Sequence, residues 1–312
     1  MSGAAASRVG FMFAVVGLIL ASGCPLNPPA KGFPGPYSYV EWKTDYANGF
    51  PLSIYYPNRD TFKDKAPVII FNTGWNQARG SYLEYGRQLA EWGFVVAIRF
   101  FPNPDVLGIG LDINQEEAHV ALVSALIDWL GEQNENSASP LFELLDMEKV
   151  GEAGHSLGTN SNMAAAIADD RIRAIVNLDG WFDHPGGDFV THLPHKNVAI
   201  MWINADQGLC TARGLPDLID LYDYVPSPAA DVMIHGASHI DFMILPALQM
   251  ESASIVCGRG QRDQAEVRTL ALKYMICWFN VQLKGMTEFE DYYKGAKAKS
   301  DENEFDVSFR WK

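Results

Sequence analysis

The hydrophobic positions of this chain form short continuous runs that alternate with longer stretches of helical period. The runs are typical of strands that a parallel sheet buries on both faces, and they lie at Ala66–Phe71, Phe94–Ile98, Val150–Gly154, Arg173–Leu178, Val198–Ile203 and Asp231–Ile234. Between them, apolar residues recur every three to four positions over Ser81–Trp92, Glu116–Gln133 and Asp263–Leu283. Strands that alternate with helices predict a doubly wound α/β sheet with right-handed crossovers.

Two segments ahead of the first apolar run have a different pattern. Tyr37–Tyr46 and Leu52–Tyr56 alternate apolar and polar side chains, which predicts an antiparallel pair at a sheet edge. With this pair the sheet has about eight strands, most of them parallel. A chain of 312 residues with 48% hydrophobic residues suits one large domain, which we place at residues 37–284. The charged tail, residues 285–312, is weakly patterned and has no assigned structure.

The strand at Val150–Gly154 runs directly into a Gly-x-Ser-x-Gly motif at residues 154–158. In such a motif the serine occupies a sharp strand-to-helix turn that only small neighbouring residues permit. The segment Leu157–Ala168 predicts the helix, whose first amides would lie under an oxyanion formed at Ser156. Because strand and helix signals flank the motif, we interpret Ser156 as a nucleophile.

The net charge of the chain limits the classes of partner that it can bind. The formal net charge is −14, from 24 basic and 38 acidic residues, and the sequence has no basic run. Phosphate backbones bind to clustered Lys and Arg, so nucleic acid is excluded as a partner. His184, His192 and His195 share one segment, but their spacing fits no helical pair of ligands. We therefore expect neither a metal ion nor another cofactor.

The N-terminal residues have the features of an export signal. Arg8 precedes an apolar stretch, residues 9–21, that is too short to span a bilayer as a mature helix. This pattern predicts a signal peptide over residues 1–23.

Residues 20–24, Leu-Ala-Ser-Gly-Cys, resemble a bacterial lipobox, in which the cysteine is lipidated. We therefore expect lipidation of Cys24, with ordinary signal cleavage as the alternative. Residues 24–36 are rich in Pro and Gly, which predicts a tether. The expected location is the bacterial cell envelope, where a lipid would anchor the exported protein, or else the periplasm or the medium.

Export makes disulfide bonds possible. Cys210 and Cys257 lie in polar, glycine-rich segments that follow predicted strand ends. A disulfide between them is a hypothesis, because sequence alone does not determine which cysteines pair. Cys277 lies in an apolar helical stretch, which is typical of a small buried side chain.

Catalytic groups in a doubly wound sheet lie on loops at the carboxyl ends of strands. After the last predicted strand, His235 belongs to the strand end and His239 follows a Gly-Ala-Ser loop, so we interpret His239 as the general base. Two carboxylates end strands that come after Ser156: Asp179 ends the next strand and Asp206 ends the one after it. The tips of these strands are adjacent in such a sheet, so spacing leaves the acid open between Asp179 and Asp206.

A tetrahedral oxyanion is stabilised by two amides aimed at one point. One amide is expected from Leu157, the residue after the nucleophile. The other is expected from the loop at residues 72–77, where the Gly74-Trp75 step suits a tight turn that exposes the Trp75 amide. Trp75 is also a candidate wall of the acyl pocket, with a loop aromatic that caps the core as the alternative.

Several of these segments occur together in one order: the loop at 71–77, Trp92–Ala97, the turn at Ser156, Leu178–Trp181 and Gly236–His239. Together they resemble the platelet-activating-factor acetylhydrolase and dienelactone-hydrolase-like branch of the α/β-hydrolases, and they are similar to bacterial cutinase-like polyester hydrolases. The resemblance covers residues 67–283 and implies the α/β-hydrolase fold. Its acetylhydrolase pattern, Leu-Asp-x-Trp, implies Asp179 as the acid, whereas the cutinase-like pattern implies Asp206. We choose Asp179 on the motif match.

Two residues depart from the family pattern. Thr159 replaces the usual second glycine after the turn, which predicts crowding of the helix against its neighbours. Glu152 stands on the central strand where an apolar residue is usual, and a buried carboxylate is costly unless it is paired or protonated. We interpret Glu152 as a hydrogen-bonded structural residue, with an auxiliary role beneath the site as the alternative.

The residues and the resemblance together imply a serine ester hydrolase that works through an acyl-enzyme. Residues 179–197, between two predicted strands, leave no room for a large lid, which favours short-chain or surface-accessible acyl esters as substrates. The alternatives are a cutinase-like polyester hydrolase and a non-catalytic surface lipoprotein that uses the fold for binding.

Overall fold

One mixed sheet runs through the part of the chain that the structure describes. The structure is a computed structural model, and it describes residues 33–46, 49–74, 77–100, 116–180, 188–211 and 220–312. The strands are β1 Tyr39–Tyr46, β2 Phe50–Pro57, β3 Ala66–Asn72, β4 Val95–Arg99, β5 Leu145–His155, β6 Ile172–Leu178, β7 Ala199–Gln207, β8 Ala229–Ser238 and β9 Val307–Trp311. Their order across the sheet is β1-β2-β4-β3-β5-β6-β7-β8-β9.

The central strands of the sheet, from β4 to β8, are parallel to one another. Antiparallel pairing occurs toward the two ends, where β1 pairs with β2, β2 with β4 and β8 with β9. The predictions of a mostly parallel sheet and of an antiparallel pair at its edge are confirmed. The described sheet has nine strands rather than about eight, because β9 comes from the segment that had no assigned structure.

Helices cover both faces of the sheet. Those in the described ranges are α1 Leu83–Glu91, α2 Glu116–Glu135, α3 Leu157–Ala168, α4 Asp188–His192, α5 Ala247–Cys257, α6 Gln264–Lys284, α7 Asp291–Lys294 and α8 Ala296–Phe305. Leu89 of α1 and Leu272 of α6 belong to the core on one face, whereas Leu126 of α2 and Met163 of α3 belong to the core on the other. Two apolar faces explain why the central strands are continuous apolar runs.

No helix within the described ranges is both long enough and apolar enough to cross a membrane. The predicted signal peptide, Cys24 and residues 24–32 of the predicted tether lie outside those ranges, so these predictions stay predictions. The end of the tether contacts the domain. The ring of Phe33 stacks on that of Trp92 with centroids 5.3 Å apart, and Trp92 Nε1 donates to the carbonyl oxygen of Phe33 at 2.7 Å.

Residues 285–312 form α7, α8 and β9 and complete the sheet. The side chain of Arg310 on β9 donates from Nε to Oδ2 of Asp231 on β8 at 2.9 Å. Within α8, Ala298 and Asp301 are the buried residues, and a short edge strand has only one neighbour. The residues of β9 do alternate apolar and polar side chains, but five positions in a charged tail are too few to predict a strand, and α8 has no apolar period.

A disulfide joins Cys210, in the loop after β7, to Cys257, the last residue of α5, and the two are 47 positions apart. The location predicted for Cys257, after a strand, is wrong: it ends a helix whose inner face consists of Met250, Ala253 and Val256. This apolar face is short and includes the small residue Ala253, so the sequence shows too little helical periodicity there to predict α5. The amide of Leu209 also donates to the carbonyl oxygen of Cys257 at 2.8 Å. Cys277 is buried and unpaired.

We expect the double variant Cys210→Ser/Cys257→Ser to lower the free energy of unfolding by up to about 4 kcal/mol, because the open chain regains the entropy that closing this loop removes. Urea denaturation followed by circular dichroism measures the change. A reducing agent should lower the midpoint of the wild type and leave that of the double variant unchanged. An unchanged midpoint of the wild type under reduction would contradict a disulfide that stabilises the fold.

Candidate active site

The turn at Ser156 lies where β5 ends and α3 begins. Ser156 has φ 55° and ψ −126°, a backbone conformation that is costly for a residue with a Cβ atom. The first turn of α3 approaches β3 so closely that a Cβ atom on Gly158 would clash with the carbonyl oxygen of Asn72. Packing of the helix against the strand thus holds the serine at the tip of β5.

Ser156, His239 and Asp179 form one line of hydrogen bonds. The Oγ atom of Ser156 lies 2.9 Å from Nε2 of His239, and Nδ1 of His239 lies 2.6 Å from Oδ2 of Asp179. The other carboxylate oxygen of Asp179 accepts from the amide of Ala205 at 3.1 Å. Because a carboxylate only accepts, Nδ1 of His239 carries its proton and Nε2 is the acceptor that faces the serine hydroxyl. This is the geometry by which an imidazole activates a hydroxyl.

The side chain of Asp206 contacts residues other than His239. Its Oδ2 atom lies 2.8 Å from Nδ1 of His235, and its Oδ1 atom accepts from the amide of Gly236 at 2.8 Å. Nε2 of His235 in turn lies 3.0 Å from Oγ of Ser308 on β9. Burial raises the pKa of Asp206, but the hydrogen bonds from His235 and Gly236 outweigh this effect and hold it below its ordinary value. Of the two candidate acids, the structure therefore brings Asp179 to His239.

The first of the two amides expected at the oxyanion is that of Leu157. Leu157 is the first residue of α3, so its N–H belongs to the turn that has no acceptors within the helix. Trp75 lies outside the described residues. The residue before it, Gly74, is described, and its amide donates to the hydroxyl oxygen of Tyr82 at 3.1 Å.

A layer of buried polar side chains lies beneath the turn. Asn72 at the end of β3 donates from Nδ2 to Oε1 of Glu152 at 3.1 Å, and Nε of Arg99 donates to Oδ1 of Asn72. The amide group of Asn162 contacts those of Asn72 and Asn177. Glu152 is thus hydrogen-bonded, as the sequence predicted. Its Oε2 atom has no hydrogen-bond partner among the described residues, and burial raises its pKa well above the ordinary value although Arg99 lowers it.

Thr159 is accommodated by a hydrogen bond and by a neighbouring glycine. Its hydroxyl donates to the carbonyl oxygen of Ser156 at 2.7 Å. The side chain fills the space in front of Gly180, where an added Cβ would lie 2.7 Å from Cβ of Thr159. The crowding expected from Thr159 is therefore relieved because the residue after Asp179 has no side chain.

Metal-ligating side chains are not grouped in the described part of the chain: no three of His, Cys, Asp and Glu are placed there to hold one ion. His192 ends α4 and His195 ends the following 3₁₀ turn, whereas His184 lies outside the described residues.

A doubly wound sheet whose central strand runs into a Gly-x-Ser-x-Gly turn defines the chain as an α/β-hydrolase. The sequence model of a family described as PETase, PET hydrolase-like, matches residues 25–201, and the chain belongs to this family. Membership confirms the expected fold and makes the chain an ester hydrolase. The match contains Ser156 and Asp179 and ends before Asp206 and His239. No curated protein matches the sequence of this chain.

We expect Gly180→Ala to lower the free energy of unfolding by about 1–3 kcal/mol, because its methyl group would overlap with Thr159. In a Thr159→Gly background the same change should be close to neutral, since the space is then free. Chemical denaturation of the two single variants and the double variant measures this coupling. Additive effects of the two substitutions would contradict a direct contact.

Proposed function

We propose that the protein hydrolyses short-chain or surface-accessible acyl esters through an acyl-enzyme, with Ser156 as nucleophile. The observation that carries the proposal is the line of hydrogen bonds from Asp179 through His239 to Ser156. Each atom in this line has the donor or acceptor role that the reaction needs. Family membership supports the ester class of substrate.

In the proposed reaction, Oγ of Ser156 attacks the ester carbonyl while Nε2 of His239 takes the hydroxyl proton. Asp179 holds the imidazole in the required tautomer and stabilises the imidazolium that forms. The amides of Leu157 and Trp75 would bind the tetrahedral oxyanion. His239 then returns the proton to the leaving alcohol, and water attacks the acyl-enzyme with the same histidine as base. The bond between the acyl group and Oγ of Ser156 breaks, the carboxylic acid leaves, and His239 gives its proton back to Oγ.

The connection between β6 and β7 supports a site that is open to solvent. It comprises residues 179–198, and its described part holds only α4 and the 3₁₀ turn Leu193–His195. Ser156 itself is half-buried, so an ester group can approach it from solvent. An open site favours small acyl groups and ester bonds at a surface. This is also the kind of substrate that the resemblance to the acetylhydrolase branch suggests.

A polyester hydrolase is the second candidate, and the family match favours it. Three large apolar side chains are exposed beside the disulfide and along α5: Leu209 next to Cys210 at 67%, and Leu248 and Ile255 on α5 at 44% and 81%. Leu248 and Ile255 are seven positions apart and so share one face of the helix. Exposed apolar groups of this kind adsorb to apolar surfaces, and an insoluble polyester offers such a surface.

We expect p-nitrophenyl esters of short acids to be hydrolysed faster than those of long acids, and Ser156→Ala to lose roughly 10⁶-fold in kcat because it removes the nucleophile. Release of p-nitrophenol across the acetyl-to-palmitoyl series measures both effects. Ser161→Ala, which removes a buried hydroxyl one turn further along α3, serves as the matched control and should keep its activity.

Turnover that survives in Ser156→Ala would contradict the proposal. Absence of turnover in the wild type across the whole series, together with no labelling of Ser156 by a fluorophosphonate, would favour the non-catalytic binding protein. Release of soluble acids from a polyester film by the wild type, and not by Ser156→Ala, would select the second candidate.

We expect Asp179→Asn to lower kcat by about 10⁴-fold, because an amide no longer holds the required tautomer of His239. Asp206→Asn should have a small effect on kcat, since Asp206 contacts His235 instead. Steady-state kinetics on the best ester of the series compares the two variants. A larger loss in Asp206→Asn would reverse the assignment of the acid.

A further inference from the structure

A second line of hydrogen bonds runs behind the contact between Ser156 and His239, and the proposed reaction does not use it. The hydroxyl of Tyr82 lies 3.1 Å from the amide nitrogen of Gly74 and 2.9 Å from Nδ1 of His155. Nε2 of His155 lies 3.0 Å from the carbonyl oxygen of His239. Tyr82 and His155 are 0% and 1% exposed, so water does not compete for these bonds.

The donor and the acceptor of each hydrogen bond in this line are determined by the groups at its two ends. The amide of Gly74 donates to the oxygen of Tyr82, which leaves the hydroxyl proton of Tyr82 to be donated to Nδ1 of His155. The carbonyl group of His239 only accepts, so Nε2 of His155 carries the ring proton. The bonds therefore require the neutral Nε2–H tautomer of His155, and bonds aligned in one sense strengthen one another.

The electrostatics of the site keep His155 in that neutral state. Burial lowers its pKa well below the ordinary value, and the neighbouring His239 lowers it further. The two imidazole rings lie 4.6 Å apart, at an interplanar angle of 35°. His155 therefore keeps the neutral form that its two hydrogen bonds require.

The line has little room to shift. A Cβ atom on Gly74 would lie 3.0 Å from the hydroxyl oxygen of Tyr82 and 3.2 Å from Nδ1 of His155. The segment that carries Tyr82 is tied to the chain beyond His239, because the amide of Ile244 donates to the carbonyl oxygen of Ser81 at 2.9 Å. The segment that carries Tyr82 is thus hydrogen-bonded to the chain that follows the general base.

We propose that Tyr82 and His155 form a relay that positions the backbone of His239 and the backbone of Gly74 together. One end of the relay holds the carbonyl group of the general base, and the other holds the amide of Gly74 just after the end of β3. The inference rests on the proposed function. Neither side chain touches the reacting atoms, so both are positioning residues.

Three variants test the relay in the full chain. Tyr82→Phe and His155→Phe remove its hydrogen bonds and keep the aromatic bulk, and we expect each to lower kcat about tenfold with little change in KM. His155→Gln offers an amide oxygen to Tyr82 and an amide N–H to the carbonyl group of His239, so it should recover most of the loss. The double variant Tyr82→Phe/His155→Phe should be no slower than His155→Phe, because the two bonds lie in series.

Proton NMR supplies a readout that a general loss of stability does not move. The downfield signal of the proton between His239 and Asp179 should shift in Tyr82→Phe and in His155→Phe and return in His155→Gln. Tyr274→Phe is the matched control. It removes the hydroxyl of another buried tyrosine, which lies away from the site and donates to Oδ2 of Asp301 at 3.1 Å. It should leave both kcat and this signal unchanged.

Either wild-type kcat or an unchanged NMR signal in Tyr82→Phe would overturn the relay. This result is distinct from failure of the proposed function. If esters are hydrolysed in a Ser156-dependent way while Tyr82→Phe and His155→Phe keep full activity, only the relay is wrong. If the wild type hydrolyses no ester, the proposed function fails, and the NMR signal alone decides whether Tyr82 and His155 position His239.

Discussion

The first turn of α3 lies so close to the end of β3 that Gly158 packs against the carbonyl group of Asn72, and the rest of the site depends on this approach. The chain has to reverse direction within one residue, and Ser156 takes up the strained backbone that results. The same approach buries the amide groups of Asn72 and Asn162, which contact each other and are hydrogen-bonded to further buried polar side chains. Backbone packing and a polar layer beneath it therefore set the position of the nucleophile.

The sequence predicted the central strands from their continuous apolar runs, which burial on two faces produces, and the edge pair β1 and β2 from alternating apolar and polar positions. It did not predict β9, whose alternation covers only five residues of a charged tail, or α8, in which only Ala298 and Asp301 are buried. In the site, the motif at Ser156 and the position of His239 after the last parallel strand were readable from the chain. Tyr82 was not, because a tyrosine in a helical apolar period looks like any core residue. Only the fold brings its hydroxyl to His155.

The two carboxylates show why spacing does not identify an acid. Asp179 follows β6 and Asp206 lies at the end of β7, so both reach the same edge of the sheet. Local backbone geometry separates them. Asp179 has φ 41° and faces His239, whereas Asp206 accepts from the amide of Gly236 and contacts His235. Neither feature follows from residue type, so only the motif resemblance could favour Asp179 beforehand.

Within the described residues, the outermost strands of the sheet, β1 and β9, have backbone N–H and C=O groups that are not paired with another strand. On β1, the side chains of Glu41, Lys43 and Asp45 alternate into solvent, and on the other edge Arg310 is followed by the exposed Lys312. A second chain that extended the sheet would have to bury these charges, which is costly. Both edges are thereby protected against amyloid-like strand addition.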